Sequence, residues 1–444
     1  MYKEYKSTKY DWLAEVPKHW DERYLFQVND EQFISNKDVH HNNLLSLSYG
    51  NIIKKDINST KGLLPESFDT YQIVNNGNII LRLTDLQNDH KSLRVGLACQ
   101  TGIITSAYTC LKPKNISSKF MYYLLHAYDL RKVFYGMGGG LRQSIGFKEL
   151  KYIYLYIPQL NEQDQIVKFL DYKISQINKF IKDKKREIVL LKELKQAEIN
   201  RIVTKGLDPN AKMKDSGIEW LGRIPKNWEL KYLSQVCKEQ TLSNKSVKNQ
   251  NLLSLSYGKI VNKDINTTEG LLPASFDTYQ IVNYGNIILR LTDLQNDHKS
   301  LRTGLVTQTG IITSAYTCIK PNNLIIPEYL HYLLHSFDIC KVFYGMGGGL
   351  RQSIGFKEIR KLKILVPLLD EQKNIVKKCN EITTNIENLI TGIEKEIQLV
   401  QEFKTSLISE VVTGKSDIRD VKIEDNFELE TIEESEVEEE VSEE

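Results

Sequence analysis

The chain has 444 residues, of which 41% are hydrophobic and 26% charged, values typical of a globular protein with more than one packed core. No stretch approaches the roughly 18 apolar residues of a membrane-spanning helix, the N-terminus is polar, and the six cysteines form no CxxC pair. We therefore expect a cytoplasmic protein without a secretory signal, a disulfide framework or a zinc cluster.

The charge is distributed unevenly along the chain. Residues 424–444 contain twelve acidic residues and no Lys or Arg, a composition typical of a disordered tail. Residues 1–423 carry 59 Lys and Arg against 45 Asp and Glu, a net charge of +14. This charge favours a polyanionic partner, although a surface that only keeps the protein soluble would have the same composition.

The most informative feature is an internal repeat. The segment WLAEVPKHW at residues 12–20 recurs as WLGRIPKNW at 220–228, and residues 43–113 differ from residues 251–321 at eleven of 71 positions. The segment LRLTDLQNDHKSLR is identical at 81–94 and 289–302, and GMGGGLRQSIGFKE occurs at 136–149 and 345–358. Two copies are too few for a solenoid, so the pattern indicates a tandem duplication of one domain.

Each copy begins with β-type runs and ends with a long helix. In the first copy, short runs at 44–48, 71–74, 78–83 and 102–111 are separated by turn residues, 120–134 is spaced as an amphipathic helix, and a strand at 152–157 precedes Pro158. This pattern predicts a mixed globular domain that closes near residue 158.

The two segments that follow, 162–206 and 371–415, have apolar residues at strides of three or four, the spacing of a coiled-coil seam. A helix of about 42 residues spans roughly 63 Å, longer than a globular domain needs, so we expect the two helices to pack on each other. The predicted seam is Ile166, Leu170, Ile177, Phe180, Ile188, Leu191, Leu194 and Ile202 with Ile375, Cys379, Ile382, Ile386, Leu389, Ile393, Ile397, Val400, Phe403, Leu407 and Val411.

If the helices run antiparallel, the two domains lie at opposite ends of the coil and are related by a pseudo-twofold axis. Duplex DNA offers a matching dyad, so two similar domains would contact two half-sites in inverted orientation. The half-site centres would then lie about one DNA turn, roughly 34 to 36 Å, apart or somewhat more.

This arrangement, over residues 1 to about 420, resembles the specificity subunit of type I restriction-modification systems. The resemblance rests on WL at 12–13, VP at 16–17 and Trp20, on EWL at 219–221, IP at 224–225 and Trp228, and on motifs at the helix ends. Pro158 with Glu162-Gln163, and Pro367 with Glu371-Gln372, precede the helices, and VTKG at 203–206 and VTGK at 412–415 end them.

The resemblance implies a fold of the α+β class, with two duplicated mixed α/β target-recognition domains joined by a long antiparallel two-helix coiled coil. The predicted limits are 1–158 and 209–367 for the domains, 159–208 and 368–416 for the spacer helices, and 417–444 for the acidic disordered tail.

The resemblance also implies a non-catalytic chain that holds no cofactor or metal itself. Its partners would be double-stranded DNA, two modification subunits that methylate adenine from S-adenosylmethionine, and restriction subunits that use ATP and Mg. Members of the family commonly carry two dissimilar domains. The near-identical copies in this chain therefore predict a palindromic or nearly palindromic split site.

Base edges are read by Arg, Lys, Asn and Gln, and phosphates by further cations. We expect the polar stretch after residue 81, the glycine-rich segment and one tyrosine in each copy to contact DNA. The alternatives are a surface hairpin in which Arg82 pairs only with Asp85, a flexible glycine turn, and tyrosines that only pack. The predicted DNA contacts are Tyr49, Arg82, Asp85, Gln87, Asn88, Lys91, Arg94, Arg142 and Gln143, with Tyr257, Arg290, Asp293, Gln295, Asn296, Lys299, Arg302, Arg351 and Gln352.

Catalytic motifs are missing from the sequence. There is no HExxH, GxSxG or methyltransferase [DN]PP[YF] tetrapeptide, and no PD…ExK nuclease pattern. His40 and His41 are adjacent, so their side chains point apart and do not favour a metal site. Trp12, Trp20, Trp220 and Trp228, at the starts of the domains, are interpreted as scaffold. The rival hypotheses are a self-contained nuclease or methyltransferase, and a coiled-coil scaffold that binds other proteins without sequence-specific DNA binding.

Overall fold

The computed structural model describes residues 2–58, 65, 67–89, 92–137, 144–245, 249–265, 275–294, 297, 301–346 and 354–423. The chain divides into two compact units. The first comprises Met1–Lys185 and Glu394–Glu444, and the second comprises Arg186–Ile393. Each unit therefore contains one copy of the repeat together with part of each long helix. The predicted domain limits, which assign the helices to separate segments, stay a prediction.

The helices come in matching sets. They are α1 (Leu25–Val28), α2 (Ser118–Leu130), α3 (Phe147–Leu150), α4 (Leu160–Lys205), α5 (Leu233–Val236), α6 (Pro327–Ile339), α7 (Phe356–Ile359) and α8 (Leu369–Val412), with 3₁₀ turns at Val133–Gly136 and Val342–Gly345.

The strands are short and all their pairings within named sheets are antiparallel. In the first unit they are β1 (Tyr5–Tyr10), β2 (Leu13–Pro17), β3 (Asp21–Tyr24), β4 (Asn29–Glu31), β5 (Leu45–Ser48), β6 (Asn51–Lys54), β7 (Gln72–Val74), β8 (Ile79–Leu81), β9 (Val95–Leu97), β10 (Gly102–Ile104), β11 (Thr109–Pro113) and β12 (Tyr154–Ile157). In the second they are β13 (Met213–Asp215), β14 (Arg223–Pro225), β15 (Glu229–Tyr232), β16 (Cys237–Glu239), β17 (Leu242–Ser243), β18 (Leu253–Ser256), β19 (Lys259–Asn262), β20 (Gln280–Val282), β21 (Ile287–Leu289), β22 (Thr303–Leu305), β23 (Gly310–Ile312), β24 (Thr317–Pro321) and β25 (Lys363–Val366).

A four-stranded sheet lies at the centre of each unit, in the order β4-β11-β8-β9 in the first and β16-β24-β21-β22 in the second. Successive side chains of a strand point to opposite faces. Ile79 and Leu81 of β8 accordingly join the main core with α2, whereas Ile80 joins a smaller core with Leu45 of the β5–β6 hairpin. The central strand is buried on both faces, which explains why its sequence is continuously apolar.

The WL…VP…W motifs fasten the start of each domain to its own long helix. Trp20 Nε1 donates a hydrogen bond to Glu162 Oε1 at 3.1 Å, and Trp228 Nε1 donates one to Glu371 Oε1 at 2.9 Å. Both indoles are almost fully buried, and a buried indole N–H requires an acceptor. The interpretation of Trp20 and Trp228 as scaffold fits these contacts.

The glutamine of each EQ pair has a different partner. The side-chain oxygen of Gln163 accepts a hydrogen bond from the backbone N–H of Ser117 at 2.9 Å, and Gln372 accepts one from Ile326 at 2.8 Å. These two backbone groups lie directly before α2 and α6. The EQ pair therefore fixes both the first strands and the globular helix of a domain against the start of its long helix.

Helices α4 and α8 run antiparallel within each unit. In the first unit, Asn178 accepts a hydrogen bond from Lys404 at 2.9 Å, and Lys184 pairs with Glu396 at 3.2 Å, so the partner number falls as the chain advances. In the second unit, Lys195 of α4 pairs with Glu387 of α8 at 3.4 Å. The α+β class with long antiparallel helices is confirmed.

Part of the predicted seam is wrong. Leu389 and Phe403 of α8 are 56% and 57% exposed, and Leu194 of α4 is 52% exposed, whereas Ile390 and Ile408 are buried. Leu389 and Ile390 are neighbours in sequence, and a stride of three or four fits either of them. Periodicity alone could not choose between adjacent apolar residues. In the part of the chain that the structure describes, no helix is long and apolar enough to cross a membrane.

Candidate nucleic-acid interface

Residues 82–89, the described start of the polar stretch after β8, form a loop that closes on itself and is called the polar loop. Asp85 has a φ of 57°, a left-handed conformation that Asp and Asn tolerate better than most residues. Asn88 donates a hydrogen bond to the Asp85 carboxylate at 2.7 Å, and the backbone N–H of Asp89 bonds to the Asp85 carbonyl at 3.2 Å. Leu86 is fully buried beneath the loop, while the side chains of Gln87 and Asn88 are exposed. The loop thus presents two amides to solvent on an apolar anchor.

Arg82, at the base of this loop, pairs with Asp89 rather than Asp85. Its Nη2 atom lies 3.6 Å from Asp89 Oδ2, and a third of its side chain remains exposed. The equivalent pair in the second copy, Arg290 and Asp297, is separated by 3.5 Å. The alternative in which Arg82 pairs only with Asp85 is therefore wrong. Partial burial disfavours the charged form of Asp89, but hydrogen bonds from Ser92 and the two nearby guanidinium groups lower its pKa overall.

The structure removes Arg94 and Arg302 from the predicted DNA contacts. Both side chains are fully buried. The guanidinium group of Arg94 donates to backbone carbonyls on the inner side of the loop, to Thr84 at 2.6 Å and Arg82 at 3.3 Å among others. Arg302 donates to Thr292 at 2.7 Å and Arg290 at 3.2 Å in the same way. Each arginine holds the loop from inside and has no surface to offer DNA.

Tyr49 and Tyr257 occupy the tips of the β5–β6 and β18–β19 hairpins. Each is the first of two turn residues with positive φ: Tyr49 is at 44° before Gly50 at 80°, and Tyr257 is at 44° before Gly258 at 77°. Positive φ at both positions is the type I′ turn, which favours Asn, Asp and Gly. Tyr257 is 84% exposed, so packing does not explain its place in a strained position.

The hairpin tip lies beside the polar loop. A Cβ added to Gly50 would lie 3.2 Å from the Cβ of Leu93, the residue before Arg94, and the same holds for Gly258 and Leu301. The described C-terminal part of the glycine-rich segment is attached at the same place, because the N–H of Ile145 donates to the Leu83 carbonyl at 3.0 Å. Among the described residues, the structure therefore brings the hairpin tip, the polar loop and this end of the glycine-rich segment together.

Several predicted contacts lie outside the described residues, namely Lys91, Arg142, Gln143, Gln295, Asn296, Lys299, Arg351 and Gln352. Of the others, Arg290 and Asp293 repeat the geometry of Arg82 and Asp85, since Asp293 also has a φ of 57°. Whether any of these side chains touches bases or phosphates stays a prediction.

The sequence family described as the type I restriction modification DNA specificity domain matches residues 103–190 and 225–399, more than half of the chain. The chain belongs to this family. A putative type I restriction enzyme MjaX specificity subunit from Methanocaldococcus jannaschii is 27% identical to it over 317 residues, which cover 69% of this chain and 70% of that protein.

Two solved structures are similar in fold. One, from work on complex assembly and conformational transition of the type I R-M system, has a TM-score of 0.61 at 14% identity and covers 90% of this chain and 99% of its own. The HsdS subunit from Thermoanaerobacter tengcongensis has a TM-score of 0.50 at 13% identity, with 90% and 98% covered. The chain is thus a DNA sequence-specificity subunit of the type I restriction-modification class.

Sequence reasoning missed a buried acid in each domain of this specificity subunit. The backbone N–H of Arg94 donates to Asp129 Oδ2 at 2.6 Å, and that of Arg302 donates to Asp338 Oδ2 at 2.6 Å. Burial raises the pKa of Asp129 to about 6 and also raises that of Asp338. The signal was available, because an Asp recurs beside apolar residues at the same point of the amphipathic helix in both copies.

Proposed function

We propose that the subunit reads a split, palindromic DNA site, with each copy contacting one half through the same residues. The observation that carries this proposal is that described residues of the surface adopt the same backbone geometry in both copies. Tyr49 and Tyr257 share one backbone angle, as do Asp85 and Asp293. Two surfaces with equal donors and acceptors at equal positions select equal bases.

The antiparallel direction of α4 and α8 supports a DNA target whose two half-sites are inverted. Each domain is fixed to the start of its own long helix through Glu162 or Glu371, and the two helices run in opposite directions within each unit. A palindromic site presents two identical half-sites in inverted orientation, one for each copy. The charge of +14 on residues 1–423 supplies the attraction to phosphates that fixes register and makes affinity fall with salt.

In this proposal the chain is non-catalytic and holds no cofactor. Two modification subunits bound to it methylate adenines within the site from S-adenosylmethionine, and restriction subunits that use ATP and Mg complete the complex. The chain determines where the complex binds, and the partners perform the chemistry. If the purified chain alone methylated or cleaved DNA, this division of roles would be wrong.

The test is to co-express the chain with its modification partner in a host that lacks adenine methylation, and to map methylated adenines across the genome. We expect one split motif whose halves are reverse complements, separated by a fixed spacer. A chain in which residues 43–113 and 251–321 are exchanged is the matched control, and it should give the same motif. Two unrelated half-sites from the unaltered chain would overturn the proposal.

A further inference from the structure

Each copy contains a fully buried guanidinium group that joins the polar loop to the tyrosine directly before the glycine-rich segment. We propose that Arg94 with Tyr135, and Arg302 with Tyr344 in the second copy, are positioning residues that set sequence specificity by holding the polar loop in a fixed position against the 3₁₀ turn that contains the tyrosine. This inference rests on the proposed function, because it assumes that the polar loop reads DNA.

The contacts of Arg94 reach both elements. On one side its guanidinium group donates to the carbonyls of Arg82, Thr84, Asp85 and Asp89 along the polar loop. On the other side its Nε atom donates to the hydroxyl of Tyr135 at 3.2 Å, and the guanidinium carbon lies 5.6 Å from the centre of the tyrosine ring.

Tyr135 is the residue directly before the glycine-rich segment, whose repeated sequence begins at Gly136. The far end of that segment is fixed as well, since Ile145 bonds to the carbonyl of Leu83 at 3.0 Å. Both ends of the segment are thus tied to the polar loop, one through the Arg94 side chain and one through the backbone.

The second copy repeats this link. Arg302 Nε donates to the hydroxyl of Tyr344 at 3.0 Å, the guanidinium carbon lies 5.4 Å from the ring centre, and Ile354 bonds to the Leu291 carbonyl at 2.9 Å. Both copies therefore contain the same buried link.

Stability alone is a poor reason for a buried arginine at this position. Removing a guanidinium group from water is costly, and apolar residues of similar volume often serve a core as well or better. The Asp89 carboxylate beside Arg94 offsets this desolvation cost only in part, because its Oδ2 atom lies 3.6 Å from Arg94 Nη2, beyond hydrogen-bond distance. What arginine supplies is a rigid fork of donors that a smaller cation or an apolar side chain cannot reproduce.

The rigid guanidinium fork of Arg94 matters more for base contacts than for phosphate contacts. A base edge is read by paired hydrogen bonds of fixed geometry, whereas attraction to phosphate is long-ranged and tolerant of displacement. If the polar loop and the 3₁₀ turn moved independently, non-specific binding would persist while discrimination between sequences would fall. Loss of the fork should therefore reduce specificity selectively.

The test uses the full chain in complex with its modification partner and three DNA duplexes, with both, one or neither of the mapped half-sites intact. Arg94→Lys keeps the charge and removes the fork. We expect it to bind the fully cognate duplex about tenfold more weakly or worse, and the half-cognate duplex within about twofold, because the second copy can read the intact half. Binding to the duplex with no intact half should not change.

Matched variants sharpen the result. Arg302→Lys should behave as Arg94→Lys does, and only the double variant should lose the half-cognate duplex. Arg23→Lys, at an exposed arginine paired with Asp21 in the same domain, should leave all three affinities unchanged. If Arg94→Lys fails to fold in a thermal melt, Tyr135→Phe decides, since it removes only the hydroxyl and should weaken the fully cognate duplex alone.

Equal weakening on all three duplexes would show that Arg94 only supports the fold, and unchanged binding to the cognate duplex would show that the link is dispensable; either result overturns the inference. Failure of the palindrome proposal looks different. In that case the methylation map gives two unlike halves, and Arg94→Lys and Arg302→Lys each weaken discrimination at a different one.

Discussion

Substitution of Tyr257 by Asn separates the strain of the hairpin tip from its function. A non-glycine residue in the left-handed region costs about 1 to 2 kcal/mol, and Asn tolerates that region far better than Tyr. Tyr257 is 84% exposed, so its removal forfeits little apolar burial to offset the gain. We expect Tyr257→Asn to raise the free energy of unfolding by about 1 kcal/mol.

Tyr49 is the matched position and should respond differently. It has the same φ of 44°, but its side chain is half-buried, so Tyr49→Asn gains from relieved strain and loses contact area. These effects are each on the order of 1 kcal/mol, and the net change should be close to zero. Guanidinium unfolding of the full chain, followed by tryptophan fluorescence, measures both variants, because each unit contains two of the four tryptophans.

Binding to the mapped DNA site completes the test. If the strained tyrosine is retained to contact DNA, Tyr257→Asn should be more stable than the unsubstituted chain and weaker in cognate binding. A variant that is less stable would refute the strain argument. A variant that is more stable and binds DNA normally would refute the functional explanation of that strain.

Two further predictions concern stability. Gly206→Ala should lower the free energy of unfolding by about 1 to 2 kcal/mol, because Gly206 has a φ of 82°. Gly414, at a φ of 74°, should lose about 1 to 3 kcal/mol more on the same substitution, since its Cβ would overlap the ring of Pro17. Equal losses in denaturant unfolding would contradict this. Burial, with a smaller effect of the Lys404 charge, lowers the pKa of His126 from 6.5 to about 4. A depressed folded-state pKa contributes stability above pH 6.5 that is lost as the pH falls towards 4. The free energy of unfolding, measured from pH 7 to 4, should therefore fall by up to about 3 kcal/mol more in the unsubstituted chain than in His126→Phe. Parallel stability curves for the two proteins would exclude this effect.

The repeat made most of the architecture predictable, because two copies of a pattern reveal which features are structural. The long helices and the role of Trp20 and Trp228 followed from it. The position of Arg94 did not. In the sequence, Arg94 is one of several cations in a polar run. Only the hydrogen bond from the Arg82 N–H to the Arg94 carbonyl, at 2.9 Å between N and O, shows that the chain pairs with the sheet again before β9 begins. Burial that depends on a strand register cannot be obtained from spacing.

The pattern of differences between the copies bears on the palindrome more directly than their overall similarity. Recent duplication alone would leave buried and exposed positions equally alike, and selection for folding alone would preserve the core before the loops. Residues 81–94 are identical to 289–302, and the exposed Gln87 and Asn88 are as unchanged as the buried Leu83 and Leu86. Exposed positions outside this run do differ between the copies, since Lys54 is replaced by Asn262 and Asn76 by Tyr284. An exposed stretch that stays identical while other exposed positions diverge is constrained by what it binds, and two such stretches in one chain imply that the two half-sites of the target are constrained together.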